Sequence, residues 1–276
     1  MKAKLFDYIE RDNFVFNLSG VTKLICFLLL SFGIMLSFDA RVILGIMILS
    51  FIVLHISEIK FKQVRIMMYY IMGFLVINFF LTFLFSPHYG EEIYGTSHVL
   101  FRITDHYYVT SEQLLYQFTK MLKYAAVIPL GMMFIFTTNP SEFAASLNKI
   151  GVSYSVSYSV ALALRYIPDI QKQYHEISQA SQARGVELSK KASLVKRLKS
   201  ASAILIPLIL SSMDRIEIIS NAMELRCFGK NKKRTWYMAQ KFKPLDYFCI
   251  IVCALLFAAS IALTTINGSR FYNPFI

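Results

Sequence analysis

Apolar residues are concentrated in five stretches of the chain, which polar segments separate. A helix that crosses a membrane needs about 20 predominantly apolar residues, and four of the stretches come close to that length. The second stretch is shorter, so it would have to tilt little or thin the bilayer locally. The pattern predicts five membrane helices: Val21–Phe38, Val42–Ser57, Ile66–Phe85, Phe118–Thr138 and Asp246–Thr265.

Two further apolar patches, Val156–Leu164 and Ala201–Met213, lie between the fourth and fifth stretches. Both belong to longer polar segments with helical spacing, and each segment contains a proline, Pro168 or Pro207. A proline inside a helix removes a backbone donor and bends the helix. We therefore expect two long kinked helices in or just below the membrane interface, with their apolar faces partly immersed.

Lysine and arginine residues determine the predicted orientation, because they favour cytoplasmic loops. The N-terminal segment and the loop between the second and third stretches are basic, whereas the loop from Ser86 to Gln117 contains Arg102 alone against four acidic residues. The segment from Arg165 to Lys243 contains sixteen Lys or Arg residues and only six Asp or Glu residues. The predicted topology has a cytoplasmic N-terminus and an external C-terminus. The C-terminal tail contains Arg270 as its only Lys or Arg, in agreement with an external position. The residues of the basic cytoplasmic segments include Lys2, Lys4, Arg11, Lys23, Lys60, Lys62, Arg65, Lys190 and Lys191.

The composition agrees with a membrane protein. Apolar residues make up 56% of the chain, the mean hydropathy is +0.50 and the formal net charge is +12. The fold class is therefore predicted to be all-α: five transmembrane helices plus long proline-kinked cytoplasmic or interfacial coupling helices. Three segments are expected: an N-terminal membrane domain (1–138), a cytoplasmic coupling-helix domain (139–245), and a C-terminal span with an external tail (246–276).

A nonamer occurs twice in the basic segment. ISQASQARG, Ile177–Gly185, returns 42 residues later as ISNAMELRC, Ile219–Cys227, with Ile, Ser, Ala and Arg at the same places. Each copy is predicted to end a helix, since Gly185 can adopt the left-handed conformation that stops one. The second stop is less direct, because Cys227 and a phenylalanine come before Gly229. An arginine there offers a fixed fork of donors to a partner carboxylate. Two solvated helix ends with basic tails on anionic lipid are the alternative.

The run TTNPSEFAASLNKIGVSYSVSYSVALALRYIPDIQKQYHEISQASQARG resembles the cytoplasmic core of the transmembrane T component of energy-coupling factor transporters. That family has two Ala-Arg-Gly motifs at the tips of two coupling helices. Ala183-Arg184-Gly185 matches the first motif fully. The second reads Leu225-Arg226-Cys227, within AMELRCFG, so it keeps the arginine alone.

The resemblance implies an energy-coupling scaffold in a prokaryotic cell membrane. These transporters import vitamins or transition-metal ions, with two cytoplasmic ABC ATPase subunits that use ATP and Mg²⁺ and a separate membrane subunit that binds the substrate. The T component joins them and does no chemistry, so we expect no bound cofactor or metal and no nucleic acid. The implied ATPase-docking residues are Ala183, Arg184, Gly185, Glu224 and Arg226.

The motifs of several enzyme classes are missing from the sequence. It lacks a GxxxxGK[ST] phosphate loop, HExxH and GxSxG, and the spacing of His88, His98 and His106 is not a metal-ligand pattern. A membrane-embedded enzyme remains an alternative with Asn78 as its one intramembrane candidate. A secondary transporter is another, although inverted repeats are not evident. The substrate stays open, and the loop 86–117 is expected to have no role in coupling.

Overall fold

The structure is a computed structural model that describes residues 13–59, 61–102, 107–186, 194–231, 234–267 and 271–272. Helices account for most of these residues, and a short two-stranded hairpin of β1 (Val99–Arg102) and β2 (Tyr108–Thr110) interrupts them. The helices are α1 (Gly20–Leu36), α2 (Ala40–Ile56), α3 (Phe61–Phe85), α4 (Tyr89–Tyr94), α5 (Ser111–Thr137), α6 (Pro140–Lys149), α7 (Tyr154–Ala183), α8 (Leu194–Leu225) and α9 (Pro244–Ile266).

The chain divides into two compact units. The first consists of Met1–Asn139 together with Gln240–Ile276, and the second of Pro140–Ala239. In the first unit α1 packs along α9 and α5, and α2 packs along α5. The C-terminal segment expected at 246–276 is therefore joined to the N-terminal helices, because α9 buries one face against α1.

All five apolar stretches form helices at the predicted places. Three helices are long and apolar enough to cross a membrane: Met67–Phe85 within α3, all of α5, and all of α9. The other two, α1 and α2, are apolar helices of 17 residues each. The chain is thus a helical membrane protein, and five crossings remain a prediction. Several orientation residues lie outside the described part of the chain: Lys2, Lys4, Arg11, Lys60, Lys190, Lys191 and Arg270.

Two buried lysines connect α1 and α5 reciprocally. Lys23, at the start of α1, donates from Nζ to the carbonyl of Thr137 at the end of α5 (2.9 Å) and to that of Phe16 (3.2 Å). Lys123 of α5 donates to the carbonyl of Met35 near the end of α1 (2.8 Å). A cation is favourable at a helix C-terminus, where carbonyls lack intrahelical partners. Each helix therefore caps the other, and Lys23, which the sequence analysis used as a marker of orientation, is a buried structural residue.

The turn between α1 and α2 is fixed by Asp39, the N-cap of α2. Its carboxylate accepts bonds from Arg41 Nη2 (2.8 Å) and Nε (3.1 Å) and from Asn267 Nδ2 at the end of α9 (3.2 Å). Burial raises the pKa of Asp39, but these bonds outweigh burial and leave the pKa below its ordinary value. Arg41 is half-exposed, so the carboxylate is the buried partner of this pair.

The segment between α3 and α5 departs from the all-α prediction. The apolar and aromatic residues of β1 and β2 pair as antiparallel strands, with Val99 opposite Thr110 and Arg102 opposite Tyr108. β-branched and aromatic side chains favour such pairing. Strand β2 leads directly into α5. The side chain of Glu112 in α5 is fully buried; it accepts hydrogen bonds from the backbone N–H of His98 and lies 2.6 Å from the Nδ1 atom of His98.

In the second unit, α6 and α8 both pack against α7. Phe228, just after α8, lies against Tyr158 near the start of α7, with ring centroids 4.7 Å apart. Further along, Arg215 Nη1 of α8 lies 3.9 Å from Asp169 Oδ2 of α7. These contacts make α7 and α8 an antiparallel pair.

Candidate functional site

The first tip is the C-terminal end of α7. Ala183 is the last helical residue, and Arg184 is the C-cap. Gly185 has φ +86° and donates its N–H to the Gln182 carbonyl (3.0 Å), while the N–H of Val186 reaches the Ser181 carbonyl (3.0 Å). These two bonds define a Schellman motif, which satisfies carbonyls that a helix end leaves unpaired. The predicted stop at Gly185 is confirmed.

The second tip repeats this geometry at the end of α8. Arg226 follows the last helical residue, Leu225. The N–H of Cys227 donates to the Glu224 carbonyl (2.8 Å), and the N–H of Phe228 donates to the Met223 carbonyl (3.0 Å). Both tips therefore end in the same motif, with arginine in the same register.

Cys227 itself takes the left-handed position, with φ +53°. The sequence predicts a less direct stop, with Gly229 two residues after Cys227, because glycine adopts positive φ without steric cost. The structure corrects this: Gly229 is also left-handed (φ +90°), but the left-handed residue that ends the helix is Cys227, two residues earlier. A residue with a Cβ thus occupies the place that Gly185 holds in the first tip.

The side chains of both tips are free for a partner. Arg184 and Arg226 are exposed, and neither guanidinium forms a hydrogen bond or ion pair with any residue that the structure describes. Ala183, Leu225 and Glu224 are exposed as well, and Leu225 retains 87% of its accessible surface. Each tip is consequently a helix end that presents one unpaired cation beside a small or apolar residue.

The two tips lie at opposite ends of the α7–α8 pair. Phe228 of the second tip contacts Tyr158, near the start of α7, whereas Arg184 is at the end of that helix. The helical rise between Tyr158 and Arg184 is about 39 Å, at about 1.5 Å per residue. The structure therefore does not bring the two arginines together, and a single small binding site could not hold both.

The two prolines lie inside the helices that carry the tips. Pro168 is in α7 and Pro207 is in α8, and each helix continues through its proline. Both predicted apolar patches are within these helices, and α8 exposes a row of large apolar side chains. That row consists of Leu205, Ile206, Ile209, Leu210, Met213 and Ile216. A bend at either proline stays a prediction.

Sequence reasoning missed the residues around the second tip. Arg234 donates from Nη2 to the Cys227 carbonyl (2.8 Å), and Trp236 donates from Nε1 to Asn148 Oδ1 of α6 (3.1 Å). The rings of Tyr154 and Tyr158 pack against Phe228 and Trp236. The single tryptophan of the chain, close to a repeated motif, was the one available signal.

The histidines and acidic residues that the structure describes do not form a metal site. No group of three or more His, Cys, Asp or Glu side chains in that part of the chain is arranged to hold a metal ion. His98 is paired with Glu112, and His106 lies outside the described residues. The backbone carbonyl of Asn78 in α3 accepts a hydrogen bond from the Thr82 hydroxyl (2.8 Å).

Comparison with known proteins gives the family. The CbiQ family, described as cobalt transport protein, matches residues 11–237. The energy-coupling factor transporter transmembrane protein EcfT of Thermanaerovibrio acidaminovorans is 26% identical over 93% of this chain and 96% of its own length. The EcfT protein of Exiguobacterium sibiricum is 24% identical over 95% of this chain and 97% of its own.

A third relative is a putative ABC transporter ATP-binding protein, BL0043, from Bifidobacterium longum. It is 30% identical over 51% of this chain, and the match spans 19% of its length. The full-length relatives are transmembrane components, in agreement with the apolar helices found here. The chain therefore belongs to the CbiQ family, the EcfT-like transmembrane T components of energy-coupling factor transporters.

Proposed function

We propose that this chain is the scaffold and energy-coupling subunit of an ABC importer, and that it transmits ATPase-driven motion to a substrate-binding membrane subunit. The observation that carries the proposal is the pair of tips: two exposed arginines, each at a Schellman-capped helix end, at opposite ends of one helix pair. Two separated cations suit two separate acceptors, one on each of two ATPase subunits.

The docking chemistry follows from the side chains. An arginine that enters a groove leaves water, so a carboxylate with matching geometry must receive its planar fork. Removing one partner of such a buried pair costs about 2–5 kcal/mol at an interface. When one tip is docked, the second docking is effectively intramolecular and gains from a high local concentration. One tip should therefore retain a weakened complex, whereas loss of both should release the ATPases.

Motion would pass along α7 and α8. ATP and Mg²⁺ would bind in the ATPase subunits, whose closure would move the tips towards each other. The exposed apolar row of α8 would meet the substrate-binding subunit, and the prolines would allow the helices to bend. The topology proposed here has five spans, a cytoplasmic N-terminus and an external C-terminus. The transported vitamin or metal ion would be selected by the other membrane subunit.

Copurification tests the proposal directly. The tagged chain is expressed with its ATPase and substrate-binding subunits, and ATPase recovery and substrate uptake are measured for Arg184→Ala, Arg226→Ala and the double variant. Arg165→Ala is the matched control, because Arg165 is an exposed arginine on α7 away from the tip. Each single variant should copurify with less of the ATPase subunits than the native chain does, and the double variant with almost none. Wild-type recovery and uptake in the double variant would show that the docking role is wrong.

A further inference from the structure

The second tip holds a strained residue that the first tip avoids. Cys227 has φ +53°, a conformation that crowds its Cβ against the backbone, whereas Gly185 has no Cβ to crowd. Such a residue persists where its surroundings over-determine it. The helix end at Arg226 therefore needs support from outside α8.

Arg234 supplies part of that support. Its guanidinium donates to the carbonyl of Cys227 (2.8 Å) and lies over the Phe228 ring, 5.7 Å from the centroid. The bond fixes the peptide that follows the left-handed residue. No described side chain donates in this way to Arg184, Gly185 or Val186 in the first tip.

An aromatic cluster supplies the rest. The Phe228 ring lies 4.7 Å from Tyr158 and 5.8 Å from Tyr154, and the Trp236 ring lies 5.3 Å from Tyr154. The indole N–H is bonded to Asn148 at the end of α6. Aromatic pairs at such distances are favourable beyond the area that they bury. Phe228 is thus anchored to α7, directly after the left-handed residue.

We propose that Arg234 and Trp236 are positioning residues of the second tip: they hold Cys227 in its left-handed conformation and so aim Arg226. This inference rests on the proposed docking function. It makes the tips unequal, because the first is shaped by its own sequence and the second depends on the segment that follows it. Damage to that segment should weaken docking through Arg226 and leave docking through Arg184 unchanged.

The test uses two backgrounds that isolate the tips. In Arg184→Ala the ATPases are held through Arg226, and in Arg226→Ala they are held through Arg184. Arg234→Met is introduced into both, with Lys230→Met as the control, since Lys230 is an exposed cation without a bond to the described residues. Losing one hydrogen bond should reduce ATPase recovery about two- to tenfold in the first background. Recovery in the second background should not change.

A rescue experiment distinguishes a positioning role of Arg234 from general destabilisation of the protein. Cys227→Gly removes the strain, so adding it to Arg184→Ala with Arg234→Met should restore most of the lost recovery. Trp236→Phe, which keeps a ring but loses the bond to Asn148, should give a smaller loss in the same background. Equal losses in both backgrounds, or no loss in either, would overturn the proposal, and so would failure of the rescue.

Hydrogen exchange of the purified chain gives a measurement that needs no ATPase. Arg234→Met should speed exchange of the Cys227 and Phe228 amides about two- to tenfold and leave Gly185 and Val186 unchanged. If the double arginine variant kept its ATPases, the docking function would fail, and this measurement would still decide whether Arg234 holds the tip. Unchanged exchange at Cys227 and Phe228 would refute the positioning role.

Discussion

Replacing Lys23 by methionine tests the reciprocal capping of α1 and α5. Methionine keeps most of the length of the side chain, but it removes a buried ammonium that donates to Thr137 (2.9 Å) and Phe16 (3.2 Å). The Thr137 carbonyl lies at the last residue of α5, where no further turn of the helix can satisfy it. The substitution therefore removes the donor that reaches the Thr137 carbonyl in the interior of the first unit.

The expected magnitude follows from two opposing effects. A hydrogen bond from a charged donor contributes about 1.5–3 kcal/mol, and the bonds of Lys23 to Thr137 and Phe16 are both of this kind. Removing the ammonium also removes the cost of burying a charge, which offsets part of that loss. We expect a net destabilisation of about 2 kcal/mol. At about 2–4 °C per kcal/mol for a domain of this size, the unfolding midpoint should fall by about 4–8 °C.

A thiol-reactive dye is a suitable reporter in detergent. The assay uses a Cys227→Ser background, because Cys227 is exposed and would react in the folded chain. Cys26 and Cys253 are buried in the core of the first unit and become reactive when it opens. Lys241→Met is the control, because Lys241 is exposed in the same unit. Lys123→Met should lower the midpoint as well, since its ammonium donates to Met35 and lies 3.3 Å from the Phe38 ring centroid. A midpoint for Lys23→Met equal to or above that of the control would refute the capping role.

Three further predictions concern acid stability, topology and tip chemistry. The pKa of folded Asp39 lies below its ordinary 3.8, so the stability that its carboxylate contributes is present above pH 3.8 and is lost as the pH falls towards the folded pKa. The difference in unfolding midpoint between the native chain and Asp39→Asn should therefore shrink in that pH range. A difference that stays constant with pH would contradict this. In a Cys227→Ser background, a cysteine introduced at Ser97 should react with a thiol reagent added outside intact cells, and a cysteine introduced at Tyr237 should not. The reverse pattern would refute the topology. Arg184→Lys should lose nearly as much ATPase as Arg184→Ala, because an ammonium lacks the planar fork; wild-type recovery would show that charge alone is enough.

The sequence predicted helix positions well where apolar residues form long runs. The five apolar stretches and the end of α7 at Arg184 are local properties, determined by hydropathy and by one glycine. The hairpin of β1 and β2 was missed because its strands are only four and three residues long and depend on pairing with each other. The burial of Lys23 was missed because its partner at Thr137 is 114 residues away.

The candidate site divides in the same way. Arg184 and Arg226 were recognised from a repeated nonamer, and the structure gives both the same cap. The left-handed conformation of Cys227 could not be predicted from its own propensity, since cysteine disfavours it. It depends on Arg234 and on rings contributed by α7, which a single sequence does not connect with the tip. Tertiary contacts therefore override the local preference at Cys227.

The natural thiol of Cys227 provides the most direct test of docking. It is exposed and adjacent to Arg226, whereas Cys26 and Cys253 are buried. A binding groove covers most of the surface of what it holds, so assembly with the ATPase subunits should slow maleimide modification of Cys227 about tenfold. Modification of Cys249, in α9 of the first unit, should not change. For the first tip, Ala183→Cys in a Cys227→Ser background should be protected likewise. Equal modification rates with and without the ATPases at both tips would contradict the account.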